Sequence, residues 1–328
     1  MRAKNAEFGE VKMKRTPIYR KEIVRNREAI IFSKLGDMDL RDTLECGQAF
    51  RYESLVEEGN YCEYLTVACG ELLIVGQEKR GELIFFGLTE EKLPEVIKYF
   101  ALDVDYEAIR EFIKSKTDSE WMLRAADESR GIHILKQDAW EALFSFIISQ
   151  NNNIPRIRKI IRKISAEYGE NLAISRGISA CPKALCESPS EEICRGCGIC
   201  YSFPTAEAVY ENPEKLLSSN PGFRYKYLVD AARRVCERES RLEEIENLES
   251  FEEICGELKK ILGVGDKVAS CVALFGMSRL EAFPIDVWMK RAIDLYFDGN
   301  LDYKSFGSYA GVAQQYIFHY IRNLEEKQ

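Results

Sequence analysis

The sequence predicts an α+β protein, with a small antiparallel β-rich N-terminal domain followed by an all-helical body. Two patterns carry that prediction. From about residue 22 to 90, short apolar, β-branched runs are separated by glycine-containing turns. After about 105, apolar residues recur at helical i, i+3/i+4 spacing. The stretch 171–204 fits neither pattern and reads as an insertion within the helical body.

Taken in order, residues 1–21 are polar and basic with little periodicity, and read as a flexible arm. The segment YCEYLTVACGELLIVGQEKRGELIFFGL holds two or three apolar runs with turns between them, the pattern of a meander in a domain spanning 22–104. TEEKLPEVIKYF opens with Thr89 and acids, a capped helix start. The body, 105–328, carries helical segments from DYEAIREFIKS to GSYAGVAQQYIFHYIRNLEEK, including a helix–hairpin–helix at about 251–276. At 328 residues the chain is long enough for two or three domains.

No apolar run is long enough to span a bilayer, and the first residues lack the apolar stretch of a secretory signal, so no membrane partner and a cytoplasmic location are expected. The formal charge of −8 by itself argues against a nucleic-acid partner, because phosphate contacts need local positive charge. Net charge is an average, however. NNNIPRIRKIIRKIS carries Arg156, Arg158, Lys159, Arg162 and Lys163 and no acid, and GFRYKYLVDAARRVCERESR carries six Arg/Lys against three Asp/Glu.

ELKKILGVGDKVASCVALFG reads as helix, hairpin, helix, turning at Gly263 and Gly265. Such a hairpin can aim backbone N–H groups at a phosphate, or be a plain turn whose glycines only stop a helix. Lys267 stands in the first turn of the second helix, where the helix dipole disfavours a cation. That field, with desolvation, favours an uncharged amine nucleophile; the alternative is a lysine that reaches solvent or a phosphate. Nineteen residues on, Asp286 precedes an amphipathic run. It reads as a helix N-cap, and also as a positioned carboxylate able to move protons or stabilise a developing cation.

The glycine hairpin, Lys267 and Pro284-x-Asp286 resemble the helix–hairpin–helix DNA glycosylases that carry a catalytic lysine. GQAFRY, KYFALDVDY, LFSFIISQNNNIPRI, GFRYKYL and YAGVAQQYIF, in that order, narrow the resemblance to the 8-oxoguanine DNA glycosylase family, over about residues 30–325. It implies a TBP-like β-rich domain, a monomer, and double-stranded DNA containing 8-oxoguanine as the partner. The activity implied is that of a bifunctional DNA repair glycosylase/AP lyase, which flips out and excises 8-oxoguanine opposite cytosine through a lysine Schiff base and then β-eliminates. By the same resemblance Lys267 is the nucleophile and Asp286 stabilises the sugar cation. Gly47, Cys271, Gln314 and Phe318 form the base pocket. Asn151, Arg156 and Arg224 meet the orphaned cytosine, Phe223 is the wedge, and Gly263, Gly265 and Trp288 lie on the DNA backbone.

Trp288 departs from the family, standing where many relatives have a histidine near the lesion phosphates; Gln150 and Ala49 also vary at neighbouring motif positions. No cofactor is required for the implied chemistry. Cys181, Cys186, Cys194, Cys197 and Cys200 match no family motif; their thiol density fits a structural zinc or an iron–sulfur cluster as well as reduced thiols in a loop. The alternatives are a glycosylase for another damaged purine, disfavoured by Gly47, Gln314 and Phe318, and a non-catalytic DNA-binding or metal-sensing relative, disfavoured by the pairing of Lys267 with Asp286.

Overall fold

The computed structural model describes residues 14–175 and 198–326. Strands β1 (Ile18–Val24), β2 (Arg27–Ser33), β3 (Tyr52–Glu58), β4 (Tyr61–Ala68), β5 (Glu71–Gln77) and β6 (Leu83–Phe86) form one antiparallel sheet in the order β1-β2-β6-β5-β4-β3. The expected meander is therefore β3 to β6, with a hairpin added on β6. Arg25 and Asn26 join β1 to β2, and Cys69 and Gly70 join β4 to β5, each pair with positive φ. That is the two-residue turn whose twist suits antiparallel strands.

One face of the sheet packs on helices α1 (Leu40–Glu45) and α2 (Leu93–Tyr99) through Phe32, Tyr64, Val75, Phe85 and Phe100. The other face, at Leu65, Val67 and Leu72, is covered by Leu172, Ala173, Ile199 and Cys200. Cover on both faces explains why all eight residues of β4 are buried, where a half-exposed strand would alternate.

Two boundaries shift. The arm expected over 1–21 is shorter, because β1 begins at Ile18 and Lys14 already bridges to Val104; residues 1–13 lie outside those described. The expected insertion at 171–204 is anchored at both ends by an Asn171–Tyr201 bridge and by the packing of Leu172 and Cys200 on the sheet. Cys181, Cys186, Cys194 and Cys197 lie outside the described residues. Among the described residues no group of three or more His, Cys, Asp or Glu is arranged to hold a metal ion, and no helix is long and apolar enough to cross a membrane.

The helical body comprises α3 (Tyr106–Lys114), α4 (Glu120–Glu128), α5 (Ala139–Ser149), α6 (Ile154–Tyr168), α7 (Leu172–Ser175), α8 (Ala206–Glu211), α9 (Tyr225–Cys236), α10 (Leu242–Glu246), α11 (Phe251–Leu258), α12 (Asp266–Gly276), α13 (Val287–Tyr296) and α14 (Ala310–Glu326). Its centre is α5, buried without a break from Ala142 to Ile148. Phe146 of α5 stacks on Phe275 of α12 at 5.3 Å, so the element ending at Ser149 and the element bearing Lys267 are packed side by side. α11 is closed by a Ser250–Glu253 capping box, which fixes its start ahead of the hairpin.

Candidate active site

The hairpin between α11 and α12 is held from below by α9. Gly263 has φ +81°, and a Cβ there would sit 2.4 Å from the Tyr227 ring, so both the turn and the packing require glycine. The next residue back, Leu262, donates its N–H to Asp230 Oδ2 at 2.8 Å. Gly265 differs: a side chain there would meet nothing within 4 Å. It is the N-cap of α12 and offers no side-chain cap, which leaves the N–H groups of the first turn facing solvent, an arrangement suited to an anion.

Lys267 is half-buried in that first turn. Its Nζ donates to Ser149 Oγ at 3.1 Å and lies 5.0 Å from the Phe146 ring centre. Ser149 Oγ in turn donates to the Phe146 carbonyl at 2.8 Å. Asp286 caps α13, its Oδ1 accepting the Met289 N–H at 2.9 Å. The cap reading of Asp286 is observed, and the cap bond holds the carboxylate through one oxygen. No ion pair joins Lys267 to Asp286. Cys271 lies one turn beyond Lys267 on α12 and is 3% exposed. Burial pushes its thiol up to about 11, while Lys267 pulls it down and Asp286 pushes it up.

The pocket residues come from three elements. Gly47 follows α1 with φ +90°, and a Cβ there would meet Phe318 at 3.3 Å and Ile154 at 3.4 Å. A side chain at this position would crowd the Phe318 ring. Gln48 holds it there. It is fully buried, donates to the Thr43 and His133 carbonyls at 2.8 Å each, and accepts the Leu135 N–H at 2.8 Å. On α14, Gln314 is 3% exposed, one turn before the half-buried Phe318, and its Oε1 accepts from Gln315 at 2.8 Å. Trp288 is half-buried in the first turn of α13.

Asn151, Arg156 and Phe223 are exposed. Arg224 is not: it is 2% exposed, and its guanidinium is bonded to backbone carbonyls. Of the two arginines expected at the orphaned cytosine, Arg156 is exposed and Arg224 is buried in the free protein.

The basic stretches are also partly spent internally. Arg158 and Arg162 donate to the Tyr52 carbonyl and Glu53 on β3. At about 100° per residue, Arg156, Lys159 and Lys163 fall within about 60° of one another on the opposite side of α6, and all three are exposed. On α9, Arg233 and Arg234 are neutralised by Asp230, Glu237 and Glu239.

Sequence reasoning passed over Ser149, Gln48, Tyr227 and Asp230. Ser149 and Gln48 sit inside quoted motifs, but their partners are remote in the chain. A cavity of about 710 Å³ opens elsewhere, beside Trp140, Glu141 and Gly276 at the far ends of α5 and α12. Its Arg51–Glu141 and Lys136–Glu246 charges are already paired, at 2.9 and 2.8 Å.

Fold and site together define the class: a helix–hairpin–helix DNA glycosylase with a lysine at the hairpin. The 8-oxoguanine DNA glycosylase N-terminal domain family matches residues 30–143. The chain is 31% identical to the Clostridium acetobutylicum 8-oxoguanine glycosylase/lyase solved with double-stranded DNA containing cytosine opposite 8-oxoG, with TM-score 0.76 over 95% of this chain and 99% of that one. It belongs to the 8-oxoguanine DNA glycosylase/lyase family. It is 26% identical over 307 residues to the probable N-glycosylase/DNA lyase of Methanothermobacter thermautotrophicus, 88% of this chain and 95% of that one. Against the N-glycosylase/DNA lyase of Saccharomyces cerevisiae it is 26% identical over 284 residues, 79% and 69% of the two chains. A 3-methyladenine DNA glycosylase from Archaeoglobus fulgidus, 20% identical with TM-score 0.58 over 87% of this chain and 93% of that one, shares the fold alone.

Proposed function

We propose that this chain is an N-glycosylase/DNA lyase that excises 8-oxoguanine from double-stranded DNA, opposite cytosine, with Lys267 as nucleophile. The observation that carries this reading is the setting of the Lys267 amine. It rests on a hydroxyl and an aromatic face, without a carboxylate ion partner.

In the scheme this supports, Lys267 Nζ bonds to the sugar C1′ as the C1′–N9 bond breaks, its electron pair leaving with the base, which takes up a proton. Asp286 stabilises positive charge developing on the sugar and accepts the proton lost from the amine. Opening of the C1′–O4′ bond, with a proton to O4′, leaves the imine. Loss of a C2′ proton then expels the 3′ phosphate and nicks the strand. Both reacting groups are side chains, so the scheme calls on no cofactor.

Gly47 and Phe318 would border the flipped purine, and the absence of a Cβ at Gly47 lets the backbone approach it. Cys271, kept neutral by burial, would pack against its other face, and Gln314 would read its Watson–Crick edge. Asn151 and Arg156 would engage the cytosine left behind, with Phe223 as the wedge.

A duplex carrying 8-oxoguanine opposite cytosine tests this. Free base and 3′-nicked strand are expected in equal amounts, with slower turnover when adenine replaces the cytosine. Base release that leaves an intact abasic strand would contradict the lysine scheme.

A further inference from the structure

α14 carries two adjacent glutamines, and the reaction scheme uses only one of them. From Ala310 to Ile317 every residue of the helix is buried, and Gln314 and Gln315 bring the only amide side chains into that run. The start of the helix is pressed against the helix that bears Lys267. Gly311 donates its N–H to the Leu280 carbonyl at 2.7 Å, and a Cβ there would sit 2.5 Å from Leu274 of α12. Both glutamines therefore sit on a firmly seated stretch of α14, one turn before Phe318.

Gln315 Nε2 donates to Gln314 Oε1 at 2.8 Å. Its own Oε1 is buried and has no partner among the described residues. A residue serving packing alone at this 4% exposed position would be apolar, because a buried carbonyl without a partner is costly. What the amide at Gln315 provides in return is the bond to Gln314. A glutamine amide has two ends of similar shape and opposite polarity. The bond from Gln315 settles which end of Gln314 lies where. The reverse pairing would strand both N–H groups of Gln315, and an unpaired buried N–H is rarer than an under-satisfied carbonyl. One lone pair of Gln314 Oε1 remains for a second donor.

That polarity matters to a flipped purine. A guanine-type base presents N1–H and an exocyclic amine, both donors, with the O6 acceptor beyond. An adenine-type base presents a bare N1 acceptor beside its amine. An amide held one way suits one pattern and opposes the other, whereas a free amide turns over to suit either. We propose that Gln315 is a positioning residue for base selection, which fixes the Gln314 amide in the orientation that accepts from N1–H of a guanine-type base. This rests on the reading above, in which Gln314 faces the Watson–Crick edge of the extruded purine.

Single-turnover excision by the full chain, on duplexes carrying 8-oxoguanine or 8-oxoadenine opposite cytosine, tests this role. The two bases differ in the cost of flipping, but that difference cancels between variants. Gln315→Met, unbranched and unable to donate, narrows the preference for 8-oxoguanine over 8-oxoadenine by about 3-fold to 30-fold, the worth of one or two hydrogen bonds. A purely structural role would slow both bases alike, so an unchanged ratio would overturn the proposal. In a Gln314→Ala background the same substitution moves the ratio by less than about twofold, because its effect passes through Gln314. The full narrowing in that background would make Gln315 a direct reader and also overturn the proposal.

Lyase cleavage of a single-stranded abasic-site oligonucleotide, which carries no base to read, stays within about twofold of the parent chain. A loss there equal to the loss on 8-oxoguanine would mean a general structural defect and would count against the proposal as well. Gln315→Leu, also apolar and of similar size, gives the same narrowing should the methionine variant fail to fold. If the unsubstituted chain released no 8-oxoguanine, the glycosylase reading would fail and this role with it. If it released 8-oxoguanine while neither variant moved the ratio, the role of Gln315 alone would fail.

Discussion

Arg156 and Arg224 carry the same guanidinium and, by sequence, the same task at the orphaned base, yet the fold treats them oppositely. Arg156 is exposed at the start of α6, with its guanidinium open to solvent. Arg224 is 2% exposed and committed to three carbonyls. The difference teaches that a motif fixes a residue's neighbourhood, while donor occupancy and burial fix what it can do there. The same division runs along α6, where Arg158 and Arg162 brace β3 and Arg156, Lys159 and Lys163 face outward.

The largest expected contrast is in stability. Arg224→Gln removes charge-assisted bonds to three carbonyls, so a loss of about 2–4 kcal/mol is expected in urea unfolding. Arg156→Gln, at an exposed site, stays within about 0.5 kcal/mol. Equal effects would erase the distinction. Opposite-base discrimination comes next. Arg156→Gln narrows the preference for cytosine by about 5-fold to 100-fold, from about 1–3 kcal/mol of lost base reading. The smallest effect is on salt. Lys159→Gln and Lys163→Gln each reduce the slope of log affinity against log salt by up to about 0.9 if the outward stripe meets phosphate. Arg162→Gln leaves the slope alone and lowers stability instead. Titrations between 50 and 200 mM salt distinguish the two sets.

Much of this was written locally. Lys267 and Asp286 announce themselves because a hairpin glycine and a helix cap are short-range signals, readable from a few neighbours. The longer helices among the described residues declare themselves by period. β1 does not, because six of its seven residues are exposed on a sheet edge, and IYRKEIV has no period-two alternation to mark a buried face. α1 is six residues long, too short for a helical period to emerge. The inward bonding of Arg224 is invisible for a different reason: its partners lie 73 and 74 residues away, and nothing in GFRYKYL says that the arginine turns inward. Ser149 escapes likewise, 118 residues from the lysine it touches.

The central claim is that the Lys267 amine becomes covalently bound to the damaged sugar. Borohydride added during reaction with an 8-oxoguanine:cytosine duplex reduces an imine to a stable link. The chain as it stands is expected to yield a protein–DNA adduct that survives denaturation, and Lys267→Gln, correctly folded, is expected to yield none. An adduct of undiminished yield in Lys267→Gln, or none from the unsubstituted chain while it releases base, would contradict the account.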